Sequence, residues 1–371
     1  MIALTHYKTA STETAELLDD ISFPQRVNWF PETYAKTKSG VMYPPHILAN
    51  KVLDQQLLEL LRNTPSKKTA FILAAGNAHF AGLARETAES RLKYKYKILP
   101  MTLTQVFAGR VAQMCGATDH IVTDSSACTS SLKAMMDVQT LIKFYGFTRV
   151  VVLGVEDAVS SLVVEFFGES KAVLSAKEDE EGILPSAFDK KNGKFHVGQG
   201  AVFTVFESEE GLKTSGFTPI ARLLGAYTAS EPCANALGQL ESGEGYVKAG
   251  QGAIEMAGLR NHQVSTVKTH GTGTISNNMA ECNALHKLLP DGFIATSYKP
   301  TIGHTMGASG LLESTLLIDD LRSTGLIPAI KNRTESDDVF LSEPAPPMNN
   351  RFLSLAAGMG NVYSAAVFSV E

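Results

Sequence analysis

Apolar residues recur along the chain in two patterns that predict different elements. In the segment ILANKVLDQQLLELL, residues from Leu48 to Leu61 repeat at helical spacing and predict a helix with one apolar face. From Lys68 onward, apolar runs of strand length alternate with helical segments. TAFILAAG, DHIVTD and TRVVVLGVE predict strands, whereas residues 101–115 and 128–145 predict helices, the second ending at Gly146. This alternation indicates an α/β fold with parallel strand pairing.

One apolar run is repeated in the two parts of the chain. AVFTVFE at 201–207 is matched by AVFSVE at 366–371, each the last apolar run of its part. Similar ends suggest two similar halves, with a boundary near residues 210 and 211. Alternating Val and Phe also satisfy strand propensity on their own, so the repeat alone leaves both explanations open.

Composition narrows the class of protein without identifying it. The 371 residues are 44% hydrophobic and 19% charged, which is typical of a globular protein and not of a disordered one. A net charge of -5 provides no basic field for nucleic acid. No signal segment and no apolar run long enough to span a membrane are recognisable, and the four cysteines are scattered without a CxxC pair. We therefore expect a cytoplasmic protein in a reducing compartment, without membrane insertion, disulfides or a zinc site.

A cysteine stands where a predicted strand turns into a predicted helix, in the segment TDSSACTSSL. At that position the free N–H groups of the helix start favour an anion, which predicts a stabilised thiolate at Cys128. The small residues around it keep the sulfur approachable. Cys115, Cys233 and Cys282 lack this setting and are interpreted as structural.

Two of the nine histidines lie in glycine-rich segments at predicted element boundaries. His270 follows the β-branched run VSTVKT and precedes GTGT, and His304 lies in KPTIGHTMGASG, five residues after Lys299. Active sites of α/β sheets gather at such strand ends. A cysteine with a nearby histidine is a common way to activate a thiol, so Cys128, His270 and His304 are the candidate catalytic residues.

These segments together resemble the β-ketoacyl synthase family, in particular the elongating enzymes that use one cysteine and two histidines. SSACTSSL matches the family's Ala-Cys segment, HGTGT its first histidine motif, and KPTIGHTMGASG its Lys and Gly-His motif. LPSAFDKKNGKFHVGQG resembles the family's intervening Pro-Phe-Asp and Gly-Glu-Gly stretch. The order agrees as well, and the resemblance extends from about Ala70 to the C-terminus.

The resemblance implies a thiolase-like fold of two similar βαβαβαββ halves, 1–210 and 211–371, stacked in five layers (α-β-α-β-α). It implies that Cys128 accepts an acyl group from an acyl carrier protein, and that His270 and His304 assist decarboxylation of a malonyl thioester. Lys299 would polarise this site and Glu281 would hold the surrounding network. Neither a cofactor nor a metal ion is implied.

Further roles implied by the resemblance concern the oxyanion hole and substrate contacts. The backbone N–H groups of Cys128 and Met359 would form the oxyanion hole, with Gly358 and Gly360 in the loop that gates the acyl pocket. Thr272 and Thr274, the threonines of HGTGT, would contact the substrate.

The chain departs from the family pattern at three places. The gating loop Gly-Phe-Gly-Gly-Thr-Asn is replaced by residues 358–363, GMGNVY, in which Met359 takes the place of phenylalanine. After HGTGT the family's Pro-x-Gly-Asp is replaced by residues 275–278, ISNN. The glycine-rich first strand is missing. We therefore expect a divergent synthase, of fatty acids or of polyketides or polyenes, whose acyl preference does not follow from the family.

The alternative function is a non-catalytic partner subunit of the chain-length-factor type, but such partners generally lack the nucleophile that is present here. A degradative thiolase or an initiating synthase is disfavoured by the GHTMGASG segment. The resemblance implies a homodimer or a heterodimer with a chain-length-factor-like subunit. The basic run RLKYKYK at 91–97 could contact an acidic carrier protein, or be an ordinary solvated face.

Overall fold

A computed structural model describes twelve stretches of the chain. These are residues 1–11, 36–37, 40–41, 49, 52–76, 103–158, 167–175, 177–178, 181–189, 194–232, 238–333 and 339–371. The basic run 91–97 and Cys233 lie outside them.

Ten strands form one hydrogen-bonded sheet. They are β1 Ile2–Ser11, β2 Thr69–Ala74, β3 His120–Asp124, β4 Arg149–Asp157, β5 Gln199–Ser208, β6 Ala221–Ser230, β7 Thr266–Lys268, β8 Ile294–Thr296, β9 Arg351–Gly358 and β10 Val362–Val370. The order is β8-β7-β9-β10-β6-β1-β5-β4-β2-β3, and a separate two-residue hairpin pairs 36–37 with 40–41.

Both halves of the sheet use the same strand order. If the strands of each half are counted from one to five, both read 3-2-4-5-1. In each half the second strand pairs in parallel with the third and the fourth, and the fifth pairs antiparallel with the fourth and the first. The repeated run of the sequence falls on β5 and β10, the fifth strand of each half, so the expectation of two similar halves is confirmed.

The helices separate into three layers. They are α1 Gln55–Asn63, α2 Thr104–Met114, α3 Ser130–Tyr145, α4 Glu209–Ser215, α5 Glu244–Met256, α6 Ile275–Leu288, α7 Lys299–Ile302 and α8 Ser309–Ser323. Apolar residues of α3 and α8 contact strands of both halves, α1 and α2 cover the outer face of the first half, and α5 and α6 cover that of the second. The strands of each half therefore lie between the shared central layer, α3 and α8, and an outer pair of helices, which gives the predicted α-β-α-β-α stacking.

Strand burial agrees with this layering. β2 is buried along its whole length, as expected for a parallel strand with helices on both faces. β3, the edge strand of the first half, is exposed at His120 and Thr123 and only partly buried between them. Within the described residues no helix is long and apolar enough to cross a membrane.

The predicted elements from residue 68 onward are found with boundaries shifted by a few residues, and α3 ends at Gly146 as predicted. Within the helix predicted over 48–61, Ala49 and Val52 are helical and α1 begins at Gln55, whereas residues 48, 50 and 51 lie outside the described residues. Asp54 caps the start of α1 by accepting a hydrogen bond from the Leu57 N–H at 3.0 Å. The sequence pattern did not predict β1, whose partner β5 lies about two hundred residues further along the chain.

Candidate active site

Cys128 lies in a tight turn between β3 and α3. The turn is a short 3-10 helix, Ala127–Thr129, and Ala127 has a φ of 49°, a left-handed conformation that is unusual for a residue other than glycine. The Ser130 hydroxyl donates to the Ala127 carbonyl at 2.7 Å and accepts from the Ser126 N–H at 2.9 Å. The turn therefore holds the cysteine at the start of a buried helix, as the sequence pattern predicts.

The protonation state of Cys128 differs from the expectation. Burial raises the pKa of its thiol to about 12, against the lowering effect of Lys299. The Glu156 carboxylate raises the pKa further, while the backbone N–H groups of Cys128 and Met359 donate toward the sulfur and lower it. The helix start does favour the anion, but burial outweighs it, so the resting group is a thiol and not a stabilised thiolate.

We expect the alkylation rate of Cys128 by iodoacetamide to rise roughly tenfold per pH unit from pH 6 to pH 10, without a plateau, because only the thiolate reacts and the thiol stays protonated throughout. Mass spectrometry of the Cys128 peptide measures the rate, with the partly exposed Cys282 as internal reference. A plateau below pH 8 would contradict a raised pKa.

His270 is held through its backbone by a buried carboxylate. The His270 N–H donates to Glu281 Oε1 at 2.6 Å, and the Gly271 N–H donates to Glu281 Oε2 at 2.9 Å. Glu281 lies on α6 and is fully buried, and burial raises the pKa of its carboxyl. Glu281 thus contacts the segment that carries His270, as the resemblance implies.

His304 is fixed by backbone pairing with the segment 196–198. Its N–H donates to the His196 carbonyl at 2.7 Å, and its carbonyl accepts from the Gly198 N–H at 2.9 Å. A β-carbon at Gly198 would lie 2.7 Å from the Ile302 carbonyl oxygen, so this close approach requires glycine.

The two imidazoles contact each other edge to face, with ring centroids 5.4 Å apart and planes at 81°. Burial, and then the positive charge of Lys299, lowers the pKa of both His270 and His304 well below the usual range. Both rings are therefore neutral at physiological pH. A neutral imidazole can donate one hydrogen bond to an oxygen that gains negative charge.

A buried cluster of two lysines and one glutamate lies behind His270. The Lys299 ammonium donates to the His270 carbonyl at 2.5 Å and to Glu313 Oε1 at 2.8 Å. The Lys268 ammonium donates to Glu313 Oε2 at 3.1 Å and to the Leu355 carbonyl at 2.9 Å. Sequence reasoning missed Glu313 and Lys268, although each is a charged residue inside an otherwise apolar or β-branched run, LLESTLL and VSTVKT.

One cavity of about 710 Å³ brings the candidate residues together. Its wall includes Cys128, His270, His304, Thr272, Thr274, Gly358 and Met359. Lys299 and Glu281 lie behind this wall, and Gly360 lies beyond it with a φ of 84°. Met359 is 42% exposed, at the outer side of the cavity.

The Cys128 sulfur lies in a cluster of buried apolar residues. Met306 Sδ lies 3.9 Å from Cys128 Sγ, and both belong to a cluster with Phe195, Val173 and Val197. Met306 follows His304 by two residues and has a φ of 43°, and it begins the short 3-10 helix Met306–Ala308 that leads into α8. The histidine motif contains this methionine, but nothing in the sequence indicated its contact with the nucleophile.

Two family models match the chain in succession. The model described as beta-ketoacyl synthase, N-terminal domain, matches residues 47–211, and the one described as beta-ketoacyl synthase, C-terminal domain, matches residues 220–333. The chain therefore belongs to the β-ketoacyl synthase family of condensing acyltransferases. The 3-oxoacyl-(acyl-carrier-protein) synthase 2 of Mycobacterium bovis is 27% identical over 281 residues, which cover 73% of this chain and 67% of that protein.

Solved ketosynthase structures share the fold. A chain from the complex of a type II PKS acyl-carrier protein with its ketosynthase bound to the hexaketide superposes with a TM-score of 0.80 at 18% identity, covering 100% of this chain and 99% of that one. A chain from the complex of a ketosynthase with its chain length factor from Xenorhabdus doucetiae gives 0.79 at 17% identity, covering 100% and 98%. The predicted thiolase-like fold is confirmed.

Proposed function

We propose that this protein condenses an acyl group held on Cys128 with a malonyl unit bound to an acyl carrier protein, releasing carbon dioxide. One observation carries the proposal: Cys128, His270 and His304 line the same cavity, which also has apolar residues beside the sulfur and two threonine hydroxyl groups in its wall. The apolar part suits an acyl chain. The hydroxyls of Thr272 and Thr274, 3.2 Å apart, suit the polar arm of a carrier thioester.

In the first half-reaction the Cys128 sulfur attacks the carbonyl carbon of an acyl thioester. A bond from that carbon to Cys128 forms, the bond to the carrier sulfur breaks, and the departing thiolate takes up the proton that the Cys128 thiol loses. The backbone N–H groups of Cys128 and Met359 donate toward the position of the sulfur and suit the oxyanion of this step.

In the second half-reaction the malonyl carboxylate leaves as carbon dioxide, and its bonding electrons pass to the thioester as an enolate. The neutral His270 and His304 donate hydrogen bonds to the enolate oxygen. The enolate carbon attacks the acyl-Cys128 carbonyl, and the cysteine sulfur leaves and regains a proton. Because both imidazoles are kept neutral by burial and by Lys299, they stabilise this oxygen as hydrogen-bond donors.

Carrier proteins and a second subunit are the expected partners. The related Mycobacterium bovis protein is named for its acyl-carrier-protein substrate, and the two solved complexes hold a carrier protein and a chain length factor. The partly exposed edge strand β3 supports subunit pairing, because such an edge presents backbone groups to a second strand. Sedimentation of the purified protein checks for a homodimer or a dependence on another subunit. A cytoplasmic location is part of this proposal.

A chain-length-factor-like role is the second candidate, since such subunits share this fold. The retained Cys128, both histidines and Lys299 favour a catalytic role over it. Neutral His270 and His304 beside the nucleophile would serve no purpose in a subunit that only shapes a partner's pocket.

The test combines acyl-loaded and malonyl-loaded carrier proteins with the purified protein and follows intact masses. We expect wild type to gain an acyl adduct and to form a ketoacyl carrier, and Cys128→Ala to show neither. Cys282→Ala is the matched control and should retain both products. The proposal fails if wild type, with or without candidate partner subunits, never gains an acyl group, or if Cys128→Ala keeps full condensing activity.

A further inference from the structure

Two departures from the family pattern meet in the folded protein through a single tyrosine. The departures are Tyr363, the last residue of the gating loop, and Asn277, after HGTGT. Tyr246 of α5 lies between them. Its hydroxyl donates to Asn277 Oδ1 at 2.6 Å, and its ring contacts the Tyr363 ring edge to face, with centroids 4.8 Å apart and planes at 69°.

The hydrogen bonds continue from Asn277 to His270. Asn277 Nδ2 donates to Glu281 Oε2 at 3.1 Å, and Glu281 accepts the His270 N–H at 2.6 Å. Tyr246, Asn277 and Glu281 are all almost completely buried. We call this series of hydrogen bonds, from Tyr246 through Asn277 and Glu281 to the His270 N–H, the row. Buried polar groups have no water to replace a lost partner, so loss of the Tyr246 hydroxyl must change the hydrogen bonds of its neighbours in the row.

Tyr363, which contacts Tyr246, is itself held by a hydrogen bond to a residue that contacts the gating loop. The Tyr363 hydroxyl donates to Glu231 Oε1 at 2.5 Å, and the Glu231 N–H donates to the carbonyl of Asn361 in the gating loop at 3.3 Å. A β-carbon at Gly245 would lie 2.2 Å from the Tyr363 ring, so a glycine beside Tyr246 makes room for that ring. The Tyr363 ring in turn packs against the Tyr246 ring.

We propose that Tyr246 is a positioning residue for His270: its hydroxyl orients Asn277, which holds Glu281, which holds the backbone of His270. The proposal rests on the proposed function and deepens it, since it assigns Tyr246 to the malonyl half-reaction and not to acyl transfer. Among the described residues, the hydrogen bonds from Tyr246 through Asn277 and Glu281 lead to the 270–271 segment and not to the turn that carries Cys128. The Tyr246 hydroxyl also accepts a hydrogen bond from Gln239, which lines the cavity. A displacement of the imidazole would weaken its hydrogen bond to the enolate oxygen.

The first test removes only the Tyr246 hydroxyl, by Tyr246→Phe. We expect malonyl decarboxylation to slow about tenfold, the loss typical of one hydrogen bond to a buried group, and acyl transfer to Cys128 to stay within about twofold. Tyr7→Phe is the matched control, since it removes a tyrosine hydroxyl that donates to Asp319 at 2.7 Å outside this row. An equal loss in both half-reactions, or no loss in decarboxylation, overturns the proposal.

The second test uses Asn277→Leu alone and together with Tyr246→Phe. Residues that act in one row should not add their effects, so the double variant should decarboxylate no more slowly than Asn277→Leu alone. If the rate loss of the double variant equals the product of the two single losses, Tyr246 and Asn277 do not act through the same series of hydrogen bonds. The same pair keeps the proposal testable if one of the two variants fails to fold.

A third readout does not depend on activity. With ¹³C-labelled histidine, the nine histidines give nine ring Cε1 signals, and a His270→Gln variant assigns that of His270. Tyr246→Phe should shift this signal and Tyr7→Phe should not. An unshifted His270 signal overturns the positioning role. If Tyr246→Phe shifts the His270 signal but the wild type never decarboxylates malonyl carrier protein, the result counts instead against the proposed function.

Discussion

A Glu313→Gln variant is expected to lose about 3–5 kcal/mol of unfolding free energy, a large part of the roughly 5–15 kcal/mol that a domain usually has. Glu313 is the shared partner of two fully buried lysines, Lys268 and Lys299. Without its charge, two ammonium groups remain in the interior and lose the carboxylate that they contact directly. Urea unfolding, followed by tryptophan fluorescence or circular dichroism, measures the loss.

The matched control is Lys268→Met, which removes one lysine and leaves the Lys299–Glu313 pair at 2.8 Å intact. We expect a loss of only about 1–2 kcal/mol, within the range of ordinary substitutions. Equal losses in the two variants would mean that Glu313 does not act as the counter-ion of both lysines. Glu313→Gln should also slow condensation, because Lys299 contacts the His270 carbonyl.

The second large effect concerns the histidines. His304→Ala and His270→Ala are each expected to slow malonyl decarboxylation about 10²–10³-fold, the usual cost of removing one donor to a developing oxyanion. Acyl transfer to Cys128 should stay within about fivefold, since the N–H groups of Cys128 and Met359 serve that step. Carbon dioxide release and the intact mass of the protein measure the two half-reactions separately.

His196→Ala is the control, because His196 contributes its backbone carbonyl to His304 and that contact does not need the imidazole. If either catalytic histidine were needed equally in both half-reactions, the division between an acyl site and a malonyl site would be wrong. A loss confined to one of the two histidine variants would assign decarboxylation to that residue alone.

Sequence reasoning recovers the parts of this site that lie within short segments. The turn of Cys128, the strand end before His270 and the loop of His304 each combine a local pattern with small residues, and each is found at the predicted boundary. The two similar halves and the five layers followed from family resemblance. The α/β pattern alone could not have specified them, because β1 pairs with strands far away in the sequence.

The contacts between segments were not predictable in the same way. Glu313 lies on α8, and its two lysine partners come from different elements, Lys268 from β7 and Lys299 from α7. The charge state of Cys128 depends on burial by residues such as Met306, which lies 178 positions further on. Local pattern correctly indicated a favourable helix start, but the sum of the tertiary surroundings decides the pKa.

The central helices α3 and α8 are preceded by the same kind of backbone turn. Ala127 and Met306 share a left-handed backbone and each begins a 3-10 turn leading into a buried helix, α3 in one half and α8 in the other. The residue that follows is Cys128 in the first and Gly307 in the second, where a β-carbon would lie 2.2 Å from the Gly76 nitrogen. In this chain the second of these equivalent positions has no room for a side chain, so only the first can hold a nucleophile.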